Sequence, residues 1–191
     1  MYFSKKRIIS LTQILATHGS LPVHITCDIG WCDPLELKDT VDILFHAWNI
    51  FWKKQYYSRY LAFRGILRRL CITYDAKKEC CKPYISLLVL LPTGDTDIRN
   101  IEHRLYIAWI TALGQHTDAA VSVAVIEKEA MEETVRVFCT VDTIEQNDEP
   151  TRVDRTVQET IKTIKERHRF FAFGGLFKNV WGCPRSYCQQ Q

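Results

Sequence analysis

Leu67-Arg68-Arg69-Leu70-Cys71-Ile72-Thr73-Tyr74, then Asp75-Ala76-Lys77-Lys78-Glu79, then Tyr84-Ile85-Ser86-Leu87-Leu88-Val89-Leu90-Leu91 reads as two strands joined by a turn. Both runs have strand length and β-branched or aromatic content, and the linker is polar. Pro92-Thr93-Gly94-Asp95 ends the second run with turn residues. The stretch at residues 85–91 is apolar but for Ser86. It has the length of a buried strand and falls well short of the roughly 20 residues a membrane span needs.

Working outward from this hairpin, residues 23–29 read as a strand ending at Gly30. Asp33-Pro34 then opens a helix with a capping residue and a first-turn proline. Val41, Leu44, Phe45, Trp48, Phe51 and Trp52 recur along it at helical spacing to about Lys54. On the other side of the hairpin, residues 99–113 give a helix with Gly114 as its C-cap. A strand at 119–126, a helix at 128–141, a polar loop at 145–151, a helix at 152–167 and a short strand at 170–173 follow. Ile8, Leu11, Ile14 and Leu15 predict a short helix or arm within residues 4–17. This order predicts an α+β fold, a central antiparallel sheet covered by helices. The division expected is an N-terminal helix or arm at 1–21, a domain at 22–178 and a C-terminal tail at 179–191.

With 191 residues, 47% hydrophobic and 25% charged, the chain is globular in composition rather than disordered or fibrous. Its formal net charge of +3 is too small to identify a partner. The basic N-terminus runs into Ile8-Ile9-Ser10-Leu11-Thr12-Gln13, too polar for a secretory core, so a cytoplasmic location is expected. Eight cysteines include two pairs, Cys27 with Cys32 and Cys183 with Cys188, each separated by four residues. Together they could supply four zinc ligands, but the two-residue knuckle spacing is absent. Scattered buried thiols is the reading adopted, with no metal and no cofactor expected.

Several segments form an ordered series: His24-Ile25-Thr26, Leu35 to Asp42 leading to Ala47-Trp48, Arg69 to Asp75, Lys82-Pro83-Tyr84-Ile85-Ser86-Leu87-Leu88, Trp109 with Ala112-Leu113-Gly114, and Arg169-Phe170-Phe171-Ala172-Phe173-Gly174-Gly175-Leu176-Phe177-Lys178. The series resembles the rolling-circle replication initiators of small bacterial plasmids, members of the HUH endonuclease family, over roughly residues 22–178. The resemblance implies an HUH-type domain that nicks one DNA strand. In such a domain two histidines and a carboxylate hold a divalent cation, and a helix-borne tyrosine attacks the phosphate.

At the positions that match, this chain departs from the pattern. Tyr84 and Ser86 stand for the two histidines, Lys82 for a third that often precedes the proline, and Cys71 for the carboxylate. Phe138 and Val141 match the tyrosine and lysine of the nucleophile helix. No tyrosine lies between Tyr106 and Tyr187, and the six histidines contain no His-x-His pair. The reading is a catalytically degenerate member that kept the scaffold, with no catalytic residue and no metal ligand. An active metal nuclease with rearranged ligands, using Asp75 or Asp95, remains an alternative.

Charge is segregated along the chain. Residues 53–69 carry Lys53, Lys54, Arg59, Arg64, Arg68 and Arg69 without an acid, interleaved with Tyr56, Tyr57, Tyr60 and Phe63. Cations meet phosphates and aromatic faces stack on unpaired bases, so these six are the expected contacts to single-stranded or hairpin DNA. The alternative is an aromatic core beneath a solvated face. Residues 127–149 reverse the sign: eight acids against Lys128 and Arg136, a net of −6. Glu129, Glu132 and Glu133 within it are the candidate protein-interaction surface, against the plainer reading of a solvated helix. Two functions therefore remain. One is an inactive initiator-like protein that binds DNA as a replication or regulatory factor. The other is an interaction module, an inhibitor or adaptor of a nucleic-acid-handling complex such as a bacterial defence system.

Overall fold

The computed structural model describes residues 4–16, 19–57, 63–92, 97–114, 118–140 and 152–181. Its centre is the hairpin, β2 (Gly65–Asp75) and β3 (Cys80–Pro92), paired antiparallel from Gly65↔Leu90 to Asp75↔Cys80. Asp75 Oδ1 accepts from the amides of Lys77 and Lys78 at 3.0 and 3.2 Å, which fixes the connecting turn. β1 (Ser20–Asp28) pairs with the other edge of β3, β4 (Val121–Val125) with β1, and β5 (Phe171–Gly175) with β2. The sheet order is β4-β1-β3-β2-β5, antiparallel throughout. The α+β expectation therefore holds.

β3 begins at Cys80, four residues before the apolar run that announced it. Pro83 is tolerated in this central strand because the ladder to β1 has already ended at Asp28↔Tyr84. A separate bridge, Cys32↔Cys81, resumes the pairing beyond it.

The helices are α1 (Lys5–Leu15), α2 (Leu37–Tyr57), α3 (Ile98–Leu113), α4 (Met131–Thr140) and α5 (Arg152–Arg167). α2 starts a turn later than Asp33-Pro34 predicts. Asp33 Oδ1 instead accepts from the Leu35 amide at 2.8 Å and caps the turn leading into the helix. α3 begins at a true cap, Asp97 accepting from the Arg99 and Asn100 amides at 3.1 and 3.2 Å. A 3-10 turn, Leu176–Trp181, follows β5 and was not foreseen from the sequence.

Strand alternation splits the core in two. On one face Val23, Ile25, Ile66, Leu70, Ile85, Leu87 and Val89 meet Val41, Leu44, Phe51, Leu105, Trp109, Val157, Ile161 and Ile164 of α2, α3 and α5. On the other, Leu67, Leu88 and Leu90 meet Leu11 and Leu15 of α1, Met131, Val135 and Phe138 of α4, and Phe177. α1 thus packs into the body of the domain. The loop expected at 145–151 and residues 182–191 of the tail lie outside the described residues. Among the described residues no helix is long and apolar enough to cross a membrane.

Candidate functional site

On the α4 face the apolar rows of the sheet give way to polar ones. Residues opposite each other in a ladder share a face. Leu67, Leu88 and His24 form one row, Arg69, Ser86, Thr26 and Ser122 the next, and Cys71, Tyr84 and Asp28 the third. Of the six stretches that carry the resemblance, those of β1, β2, β3 and β5 meet here, while Leu37 and Val41 of α2 and Trp109 of α3 pack on the opposite face.

Each polar group in these rows has a partner. Ser86 Oγ and His24 Nε2 share a hydrogen bond of 2.7 Å, and Thr26 and Ser122 share one of 2.6 Å. Arg69, 6% exposed, donates through Nη1 to the carbonyl of Phe138 at 2.7 Å and lies 5.6 Å from the Phe171 ring centroid. Phe138 O belongs to the last turn of α4, where the helix dipole favours a cation. The Phe138 ring stands edge-on to His24, 6.2 Å between centroids. Tyr84 bonds to Cys71 and Thr73. At the sheet end, Lys82 Nζ pairs with Asp28 Oδ2 at 2.6 Å, while Asp28 Oδ1 accepts from the amides of Gly30 and Ala120.

Burial sets the protonation states of these side chains. Burial, reinforced by the neighbouring Cys71, pushes the Tyr84 hydroxyl up to about 12, so almost no phenolate forms at neutral pH. Burial also raises Cys71 and lowers His24, favouring their neutral forms. A neutral imidazole bonded to a serine has the outline of a base and its nucleophile. Ser86 is buried within the ladder. Among the described residues no three His, Cys, Asp or Glu side chains converge as a metal site. Asp75 spends its carboxylate on its own turn and on Lys78 Nζ at 4.0 Å. Asp95 lies outside the described residues.

The basic segment is dispersed by the fold. Lys53 is exposed near the end of α2, while the Lys54 side chain and Arg59 lie outside the described residues. Arg64 is exposed and donates to Gly19 O at 2.8 Å and Ser20 Oγ at 3.3 Å. Arg68 and Arg69 are adjacent on β2 and face opposite sides of the sheet. Arg68 lies against the α2 aromatics, 4.9 Å from the Phe45 centroid and 5.5 Å from that of Trp48, and donates to Arg169 O at 3.2 Å. Burial, with nearby Arg169, lowers its guanidinium to about 10. Both are thus engaged with protein groups, Arg68 partly and Arg69 almost wholly buried. Run composition alone could not reveal this; period-two alternation within residues 67–74 could have.

Glu129, Glu132 and Glu133 are exposed as expected, the first in the turn before α4 and the others on its first turn. Glu133 pairs with Arg136 Nη2 at 2.6 Å. The sequence reading passed over the order within α5, where Arg155, Gln158, Lys162 and Lys165 are all exposed at i, i+3, i+7 and i+10. They form a basic stripe beside Glu159 and Glu166, and helical periodicity applied to charges would have found it.

Comparison of this chain with known protein families, with curated proteins and with solved structures finds no match.

Proposed function

We propose that this chain is a DNA-binding protein built like a rolling-circle replication initiator, of HUH type, that holds DNA without cutting it. The observation that carries the reading is the convergence of Cys71, Tyr84, Ser86 and the Phe138 helix on one sheet face. These are the positions that in the resembled family hold the metal and the nucleophile. In this chain they form a hydrogen-bonded polar layer with no metal cluster among the described residues. DNA contact then falls to exposed cations, Lys53 and Arg64 together with Arg155, Lys162 and Lys165 of α5. Such a protein acts as a replication or regulatory factor in the cytoplasm.

The test combines a denaturing gel with a salt titration. With magnesium or manganese, the protein should leave origin-like single strands and hairpins uncut and form no covalent adduct. Binding should weaken with salt, and changing Arg155, Lys162 and Lys165 together to Gln should lower the log–log slope by about 2. A covalent adduct overturns the non-nicking reading; absence of any DNA binding overturns the whole.

A second reading is favoured by one surface. Glu129, Glu132 and Glu133 are exposed beside Val137, itself exposed on α4, and this acidic rim suits a basic protein partner.

A further inference from the structure

The indole of Trp31 is 49% exposed in the loop between β1 and α2, although the chain on both sides of it is tied down. The Gly30 amide donates to Asp28 Oδ1 at 3.2 Å. Cys32 exchanges two main-chain hydrogen bonds with Cys81, at 2.8 and 2.9 Å. A fixed backbone that carries a large aromatic ring into solvent forgoes the burial such a ring ordinarily gains.

Two ammonium groups accompany the ring. Lys78 Nζ and Lys82 Nζ each lie 5.9 Å from its centroid. Both are positioned by other contacts. Lys82 is held by Asp28 at 2.6 Å. Lys78 sits on the β2–β3 turn that Asp75 closes, with 71% of its side chain exposed. The bridge at Cys32↔Cys81 sets this group at the end of the sheet where Tyr84 and exposed Thr73 also lie.

We propose that Trp31 is a stacking platform for an unpaired base of single-stranded DNA, with Lys78 as the contact to an adjoining phosphate. The chemistry fits this occupant. A π-face accepts any base, and the ammonium groups that lie over the ring are within reach of the phosphates that flank a stacked base. A duplex keeps its bases paired and offers no free face to the indole. The surroundings are not strongly positive, since Asp28 and Asp75 oppose Lys82 and Lys78. The platform therefore acts through stacking more than through charge. The inference deepens the DNA-binding reading and rests on it.

The test uses the full chain with a 5′-labelled oligo-dT of about 20 nucleotides and a duplex of mixed sequence and equal length. Trp31→Ala should weaken oligo-dT binding about tenfold or more, with duplex binding unchanged, and Trp31→Phe should keep most of the affinity. Oligo-dT should quench the parent's tryptophan emission, and most of that quenching should vanish in Trp31→Phe. Lys78→Gln, which leaves the ring in place, should lower the single-strand salt slope by about 0.7. If the parent binds oligo-dT and Trp31→Ala binds equally well, the platform is overturned while the DNA-binding reading stands. If the parent binds neither oligonucleotide, both fall. If Trp31→Ala only disrupts self-association, the exposed ring is a protein contact and the platform is likewise overturned.

Discussion

Arg69 Nη1 lies 2.7 Å from the carbonyl oxygen of Phe138, so a strand residue in the sheet holds the last turn of the helix that covers it. The guanidinium takes the place a helix C-terminus offers to a cation. Removing it leaves buried carbonyls without a donor. Arg69→Met should cost about 2–3 kcal/mol, read as a lower urea midpoint at unchanged slope. Arg64→Ala, an exposed residue on the same strand's approach, should cost about 1 kcal/mol or less. Equal losses would mean that Arg69 is not the buried tie described.

Gly175 ends β5 at φ +55, and a Cβ there would run into the Arg64 carbonyl oxygen. Gly114 has a similar φ of +79 with nothing within 4 Å of its missing Cβ. The pair separates backbone strain from collision. Gly114→Ala should cost about 2 kcal/mol, the strain of a sparsely populated backbone conformation (φ 79, ψ -105) without any collision. Gly175→Ala should cost about 3 kcal/mol or more, because rigid backbone must move. Thermal or urea unfolding of the two variants measures the difference, and similar losses would show that β5 can shift without penalty.

The architecture was legible where one signal dominated. Every strand and helix foreseen among the described residues appears, because long apolar periodicity such as that from Val41 to Trp52 survives tertiary context. Boundaries moved where local chemistry outweighed the pattern, as at Asp33, whose side chain caps a turn rather than the helix. The site was legible only as a set of positions. That Cys71, Tyr84 and Ser86 share a face follows from strand period and register, but the bonds of Tyr84 to Cys71 and of Ser86 to His24 do not. Arg68 and Arg69 are separated by the fold for a related reason. A run of charges reads as one surface until alternation assigns its members to opposite sides of a sheet.

Burial lowers the His24 imidazole below its ordinary value, and this fixes a sign. As pH falls through about 6.5, the unfolded chain takes up a proton that folded His24 resists, so stability declines down to the folded pKa. His24→Gln retains a hydrogen-bonding partner for Ser86 and cannot titrate in this range. Urea unfolding at pH 7.5, 6.5 and 5.5 should therefore show the parent losing more stability than His24→Gln as pH drops. Parallel curves would mean that the ring titrates freely and that the polar layer is open to water.

The acidic turn of α4 is where DNA binding and protein partnering diverge most. Glu129 and Glu132 are exposed, and Glu133 is engaged with Arg136 on an exposed helical face. Replacing all three by Gln should change stability by no more than about 0.5 kcal/mol, since exposed pairs contribute little. With a protein partner, the triple variant should associate more slowly and lose salt dependence, because rim charges act mainly on encounter. If the acids instead repel phosphate from the sheet face below, the same variant should bind DNA more tightly, and most visibly at low salt. Association rates at two salt concentrations, measured for DNA and for any captured partner, distinguish these outcomes. Unchanged rates and unchanged DNA affinity would leave α4 with a packing role alone, through Met131, Val135 and Phe138 on its buried side.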